Sequence, residues 1–336
     1  MADRTVMTVT GPIPADQLGR VLVHEHVQIS YAGERLDPKY RRDREADIAF
    51  AVQRMAQLAA VGVRTFVDPC PIELGRDPEL LAEIARRSGM NIVCATGFYH
   101  EAASAGIPFY WRQRWPEEIA ELYLHEIEHG IGSTGIRPGV IKIATGDPVS
   151  RHERKVVAGA ALAAVESGLP IISHTEHSRW GDVQQEILAE HGVDLNRCLI
   201  GHLDQVESSD DLRAIIERGS FVGIDRIGAE RHLADSRRAE LVVELVQSGH
   251  AHRLCVSQDH LCCLTAPRPP YWIPKDKVEW FDAEIRPNLE TEMFGRPHTF
   301  LFTDFLPRLA ALGLDPVVVE QLLVDNPRSL LVGEGP

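Results

Sequence analysis

Short apolar runs alternate along this chain with longer amphipathic stretches. Eight runs read as strands: Arg20 to His26, Arg64 to Pro69, Asn91 to Gly97, Gly139 to Thr145, Pro170 to Thr175, Cys198 to Leu203, Phe221 to Asp225 and Leu254 to Asp259. Between them, Asp47 to Ala60 carries Ile48, Val52, Met55, Leu58 and Ala59 at helical spacing, and Glu153 to Ser167, Ser208 to Arg218 and Ala239 to Gln247 read the same way. Gly62, Gly89, Gly168, Gly192, Gly219 and Gly249 each follow a helical stretch, where a left-handed C-terminal cap belongs. Strand and helix repeated eight times predict an α/β chain folded as a (β/α)8 TIM barrel. A doubly wound open sheet is the competing arrangement, but it calls for a glycine-rich phosphate loop after its first strand. Here that strand runs into Val27-Gln28-Ile29-Ser30.

No linker or internal repeat divides the sequence, so residues 1–336 are expected to form a single domain. Val6 to Ile13 are expected to make a small hairpin under the barrel. His260 to Pro297, proline-rich and containing Trp272 and Trp280, forms a long loop after the eighth strand, expected over the barrel mouth.

Chemistry enters at the strand ends, because barrel active sites sit at the C-terminal mouth. The first strand ends in His24-Glu25-His26. Alternation along a strand sends both imidazoles to one face and Glu25 away from it. The fourth strand carries Lys142, the fifth ends in His174, the sixth in His202 and the eighth in Asp259. Taken singly, each has a bland role: a hydrogen-bonded structural histidine, a helix-capping aspartate, a lysine reaching back to solvent. Converging at one mouth, four imidazoles and a carboxylate are costly unless a cation organises them. An ammonium has no lone pair to offer. Lys142, flanked by Val140, Ile141 and Ile143, is expected to be buried and to lose its proton more readily. The neutral amine can react with carbon dioxide to give a carbamate, an anion with two oxygens able to bridge two metals. His100, His177 and His260 also lie just past strand ends and read as solvated loop residues. His298 and the remaining histidines fall away from the mouth and receive no role.

Composition narrows the partners. A formal net charge of −14 argues against a nucleic-acid backbone. No apolar run reaches membrane-spanning length, and no charged start with an apolar h-region marks a secretory signal. The six cysteines form no CxxC pair and read as buried, reduced side chains of a cytoplasmic protein.

The residue set resembles the phosphotriesterase family of the amidohydrolase superfamily, and within it the phosphotriesterase-like lactonases. The resemblance runs from Thr10-Gly11-Pro12-Ile13 through Val23-His24-Glu25-His26 to Asp325-Asn326-Pro327. It implies two divalent metal ions, zinc first, with cobalt, manganese or iron as alternatives. His24, His26 and Asp259 would hold the more buried ion, His174 and His202 the second, and a carbamate on Lys142 would bridge them. Ala95-Thr96-Gly97-Phe98-Tyr99 and Phe221-Val222-Gly223-Ile224-Asp225-Arg226 match the ends of strands three and seven in the lactonase branch. They imply Tyr99 beside the bridging hydroxide and Arg226 lining the lactone pocket. The bland alternatives are a core tyrosine and a surface Arg226–Asp225 pair. Asp259 would move the proton. The Cys262-Cys263 pair is displaced by one residue from the lactonase pattern, which leaves the acyl preference open.

The implied function is a hydrolase that opens N-acyl homoserine lactones or related γ- and δ-lactones by attack of a metal-bridging hydroxide, with phosphotriesters as promiscuous substrates. A true phosphotriesterase and a non-catalytic ligand-binding relative are the alternatives. Sugar-lactone phosphates are a further option, requiring basic residues at the mouth; Arg268 and Arg286 are the candidates. Homodimers are common in the family, so a homodimer is expected.

Overall fold

The computed structural model describes residues 4–30, 33–36, 38, 42–101, 106–206, 208–264, 274–285, 287 and 295–333. The chain opens with a hairpin, β1 (Thr5–Thr8) and β2 (Gly11–Pro14), followed by β3 (Arg20–Leu22) and β4 (His26–Ile29). Then come helix α1 (Arg44–Ala60), β5 (Val63–Asp68), α2 (Pro78–Ser88), β6 (Asn91–Gly97), the short α3 (Phe109–Arg112) and α4 (Pro116–His129). The second half runs β7 (Val140–Thr145), α5 (Arg151–Ser167), β8 (Ile171–Thr175), α6 (Gly181–Glu190), β9 (Cys198–Ile200), α7 (Asp210–Glu217), β10 (Phe221–Ile224), α8 (Asp235–Gln247), β11 (Leu254–Val256) and β12 (Leu261–Leu264). Eight strands form one parallel sheet in the order β3, β5, β6, β7, β8, β9, β10, β11, the expected (β/α)8 barrel.

Helices start and stop as local chemistry dictates. Asp77 caps α2 by accepting from the Leu80 N–H, with Pro78 in the first turn. Ser150 and Glu153 form a reciprocal capping box on α5, and Gly168 ends that helix in the left-handed conformation. The helices α2, α4 and α6 lie in stretches where the apolar spacing did not mark them out.

The barrel is filled one residue per strand. Val21, Val67, Val93, Val140, Ile172, Leu199, Phe221 and Cys255 are all fully buried in one cluster with Val6, Leu18 and Leu330. Each large aliphatic side chain so buried stabilises by about 1.5–3 kcal/mol. Val6 comes from the hairpin, so the hairpin does close the bottom, joined there by Leu330 and Leu331 from the C-terminal helix. Asn326 of that helix donates to the Ala251 and Leu254 carbonyls and so fixes the start of β11. Two residues above the filled layer, strand alternation brings Lys142 over Val140 and His174 over Ile172.

The first strand is not the continuous run expected. It stops at Leu22 and resumes at His26, and Glu25 is buried rather than turned outward. Its carboxylate accepts from the Ser257 hydroxyl at 2.8 Å, the Gln258 N–H at 2.8 Å and the His260 N–H at 3.0 Å. Around it, the Asp259 N–H donates to the His24 carbonyl and the His26 N–H to the His260 carbonyl, both at 3.0 Å. Above them β4 pairs in parallel with β12. The barrel therefore closes through a seam built on Glu25, and the irregularity of both strands there is what sets His24, His26 and Asp259 at its rim. Burial raises the Glu25 carboxyl to about 7, the three donors notwithstanding.

Among the described residues no helix is long and apolar enough to cross a membrane. Cys70, Cys94, Cys198 and Cys255 are buried free thiols, as expected, and Cys262 is buried too.

Candidate metal centre

His24, His26, Lys142, His174 and His202 are buried at the C-terminal end of the barrel, and Asp259 stands half-buried above them. The structure thus brings together the six residues singled out at strand ends. Asp259 is central: its Oδ1 lies 3.9 Å from His24 Nε2 and 3.4 Å from His26 Nε2, and its Oδ2 lies 3.5 Å from His202 Nε2. The His24 and His202 rings stack at 4.5 Å, and His202 meets His174 edge-on at 4.5 Å. Lys142 Nζ is 3.0 Å from His24 Nε2. His24, His202 and Asp259 offer ligand atoms within 4.8 Å of one another.

Backbone geometry serves this convergence. His202 and Asp259 both adopt left-handed conformations, at φ 59° and 48°. Non-glycine residues reach that region at a cost of about 1–3 kcal/mol. In both cases the turn follows directly on a strand end and aims the side chain back over the barrel axis.

Each of the four imidazoles is backed by a carboxylate. Asp225 holds two: its Oδ2 is 2.9 Å from His24 Nδ1, and its Oδ1 is 3.0 Å from His202 Nδ1. The Asp225 Oδ1 also accepts from the His202 N–H at 2.7 Å. Asp68 Oδ1 is 3.3 Å from His26 Nδ1, and Glu176 Oε2 is 2.9 Å from His174 Nε2. A carboxylate only accepts, so the nitrogen it faces carries the proton and the other nitrogen presents a lone pair. Lone pairs on Nε2 of His24 and His202 face Asp259, His26 meets a carboxylate at each nitrogen, Asp68 at Nδ1 and Asp259 at Nε2, and keeps both protons, and His174 turns Nδ1 toward the Tyr99 hydroxyl at 3.3 Å. Asp225 fits because two glycines make room for it: a Cβ on Gly201 or on Gly223 would stand 2.8 Å from its Oδ2.

Charge states follow from burial. Burial lowers His24, with Lys142 assisting; it takes His174 to about 3, and with Arg226 it carries His202 well below its ordinary value. These rings are neutral, as ligation requires. For His26 burial also works against the cation, but the carboxylates of Asp259 and Asp68 overcome it and raise the ring well above its usual value. Burial works the other way on Asp259, yet His202, His26, His24 and Arg226 hold it well below the carboxylate range. Burial brings the Lys142 ammonium down to about 8, so a neutral amine is accessible near neutral pH. Three neutral imidazoles, a fourth whose proton an incoming cation would displace, an ionised carboxylate and a deprotonatable buried amine fit divalent cations.

Tyr99 and Arg226 lie on the rim. Arg226 reaches Asp259 Oδ2 through Nε at 3.4 Å, while Asp225 is taken by the two histidines, so the surface Arg226–Asp225 pair is not formed. Tyr99 is half-buried against His174 rather than a core residue.

Three readings of loop residues change. His100 and His260 are buried, not solvated: His100 stacks on His174 at 5.1 Å, and His260 packs on His298 at 4.1 Å. His298 is buried there too, while His177 is exposed as expected. Asp225, Asp68 and Glu176 were not singled out from sequence, although each stands at or next to a strand end like the ligand candidates themselves. Trp272, Arg268 and Arg286 lie outside the described residues.

Comparison with known proteins agrees on what such a mouth is for: the chain is a metal-dependent hydrolase of the (β/α)8 type. It belongs to the phosphotriesterase family, whose pattern its residues 4–331 match. It is 31% identical over 320 residues to an aryldialkylphosphatase of Saccharolobus solfataricus, covering 94% of this chain and 96% of that one. A phosphotriesterase homology protein of Mycobacterium tuberculosis is 32% identical over 338 residues, 98% of each chain. Among solved structures, the organophosphorus hydrolase from Deinococcus radiodurans superposes with a TM-score of 0.87 at 33% identity, covering 98% of both chains. A mutant PTE-like lactonase from the same organism gives 0.86 at 33% identity, covering 97% of this chain and 100% of that one.

Proposed function

We propose that this chain is a lactonase with a two-metal centre, acting on N-acyl homoserine lactones or related γ- and δ-lactones and, promiscuously, on phosphotriesters. The observation that supports it best is the carboxylate behind every imidazole, which holds each ring with its other nitrogen turned into the mouth. His24, His26 and Asp259 would hold one ion, His174 and His202 the other, with Lys142, as its carbamate, between them. Zinc is the first candidate, with cobalt, manganese or iron as alternatives. Bound there, the cations would supply Lewis acidity and an acidified water near neutral pH.

The residues around them handle protons and orientation. Asp259 takes the proton of the attacking water and passes it to the leaving alkoxide. Its carboxylate is held ionised by the histidines and by Arg226, so it enters the reaction as a base. Arg226, on the open side of Asp259, orients the lactone carbonyl or ring. The Tyr99 hydroxyl, beside His174, holds the attacking hydroxide or protonates the leaving oxygen. Both acyl and phosphoryl transfer build negative charge on oxygen, which is why one mouth can serve both. Homodimeric assembly and a cytoplasmic location are part of the same proposal.

The test is a kinetic panel on enzyme saturated with zinc, cobalt or manganese: kcat/KM for paraoxon beside that for short- and long-chain acyl lactones. Higher values for lactones support the proposal. Higher values for paraoxon make the chain a phosphotriesterase, and a folded protein that binds no metal and turns over nothing makes it a binding relative.

A further inference from the structure

The segment 225–234 joins β10 to α8 and carries Arg226 near its start. It holds no strand or helix of its own, so its backbone polar groups need partners from elsewhere. Four of them find those partners in one buried cluster at the first turn of α8. Arg238 is fully buried at the centre of that cluster, with Asp235 from its own helix and Asp204 from the loop after β9, both buried too.

The Arg238 guanidinium uses all three of its nitrogens. Nε donates to Asp204 Oδ2 at 2.8 Å. Nη1 donates to Asp235 Oδ1 at 2.8 Å and to the Leu233 carbonyl at 2.6 Å, and Nη2 donates to the Ala229 carbonyl at 3.1 Å. The two carboxylates then take N–H groups of the same segment. Asp204 Oδ2 accepts from Arg226 at 3.0 Å, and Asp235 Oδ1 accepts from Gly228 at 2.9 Å. Two N–H groups and two carbonyls between Arg226 and Leu233 are thus held by one set of charges.

The set also acts on the Arg226 side chain. Two carboxylates face a single guanidinium, and Asp204 Oδ1 and Asp235 Oδ2 are buried without a hydrogen-bond partner among the described residues. After Arg238, the next cation that favours the ionised form of Asp204 is Arg226. Arg226 is therefore held by its N–H, by the field of Asp204 and by its Nε contact with Asp259 Oδ2 at 3.4 Å. Its terminal nitrogens make no hydrogen bond among the described residues and remain available as donors.

Apolar side chains in place of buried ions are often neutral or stabilising. Stability alone thus gives no reason for three buried charges under this loop. What the charges supply is a single conformation for a segment that has no regular structure to impose one.

We propose that Arg238 is a positioning residue for substrate selection: through Asp204 and Asp235 it locks the segment after β10 so that the Arg226 guanidinium stands beside Asp259 and meets the carbonyl or ring of a lactone. This rests on the lactonase reading and deepens it, since it places control of the choice between lactone and phosphotriester on a helix outside the mouth. A misplacement of about 1 Å can cost about a hundredfold in rate. Paraoxon has no lactone ring for Arg226 to orient and feels such a shift less.

The test is Arg238→Lys. It keeps a positive charge between the aspartates, but a point ammonium with three protons cannot span two carboxylates and two carbonyls. On zinc-loaded enzyme, kcat/KM for a γ-lactone is expected to fall by about tenfold or more, and that for paraoxon by about threefold or less. In an Arg226→Ala background the same substitution should cost nothing further on the lactone, because Arg238 acts through Arg226. A purely structural role gives the opposite: equal losses on both substrates, adding in full to Arg226→Ala. Either of those results, or unchanged kinetics, overturns the proposal. Asp235→Asn keeps an acceptor for the Gly228 N–H but drops the charge facing Arg238, and it serves for the same comparison if Arg238→Lys fails to fold. Hydrogen exchange gives a readout without turnover. The Arg226 and Gly228 amides should exchange about tenfold faster or more in Arg238→Lys, with those of β10 unchanged; equal exchange in the two proteins refutes the lock. If the wild type hydrolyses neither substrate, the lactonase reading and the selection role fall together, and the exchange rates separately decide whether Arg238 locks the segment.

Discussion

Replacing Asp225 by asparagine tests the logic of the site at its most economical point. The carboxylate is fully buried and serves two imidazoles at once, with Oδ2 on His24 Nδ1 at 2.9 Å and Oδ1 on both the Nδ1 and the backbone N–H of His202. An amide is isosteric but has one oxygen and one NH2 group. The oxygen belongs where two donors converge, at Oδ1, so the NH2 group turns toward His24. A donor facing His24 Nδ1 makes that nitrogen the acceptor and moves the ring proton to Nε2, the nitrogen that faces Asp259 and Lys142. His24 then has no lone pair to give a cation. Removing the partner that orients a ligating histidine costs about 10–100-fold in metal affinity, or about 1.4–2.7 kcal/mol. That matches the roughly 1.5–3 kcal/mol of one lost charge-assisted hydrogen bond. The assay is competition of the metal-free protein with a chromophoric zinc chelator, with circular dichroism melts as the check on folding. One zinc equivalent should weaken by about 10–100-fold while the other changes less. Two equivalents bound with wild-type affinity by a folded Asp225→Asn protein would refute the tautomer argument and, with it, the role of Asp225.

Lys142→Ala should lose nearly all turnover, and acetate or propionate in the buffer should restore part of it by standing in for the carbamate; no rescue at any concentration argues against a carbamate. Asp259→Asn should cut kcat by about 10²–10⁴-fold with zinc still bound, and a variant with near-normal kcat removes Asp259 as the proton carrier. Glu73 offers a pH signature away from the metal ligands. Burial raises its carboxyl from 4.5 to about 7, while it accepts from the Tyr99 N–H at 2.7 Å. A carboxyl raised in the folded state binds its proton more tightly there than in the unfolded chain. Its stabilisation is therefore full below about pH 4.5 and is lost as pH rises through about 7, by on the order of 3 kcal/mol at most. Urea unfolding across that range should show a decline that is shallower in Glu73→Gln; equal slopes for the two proteins count against it.

Much of the fold was legible because barrel strands are short apolar runs with helices between them, and β5, β6, β7 and β8 fall within a residue of the runs marked from sequence. The candidate ligands were legible for the same reason: a polar residue ending an apolar run lands at the mouth. What sequence alone could not separate was ligand from partner. Asp68 and Asp225 end strands just as Asp259 follows one, and only the distances show that the first two face the outer nitrogens of imidazoles. Glu25 was misread because strict alternation sends it outward, whereas the break between Leu22 and His26 turns it into the seam.

The Glu25 seam also bears on how the protein is made. Its carboxylate waits on donors 232 to 235 residues further along the chain, and the same closure brings Asp259 to His24 and His26. During vectorial synthesis the first strand emerges early and remains without its neighbour until the eighth has left the ribosome. A nascent chain stalled short of Ser257 would carry most of the helices and strands yet hold an open barrel, with a buried-type carboxylate exposed and the metal pocket lacking its central aspartate. On the proposed metal centre, loading would wait for the closed barrel, and competence to bind a divalent cation would report that the barrel has shut.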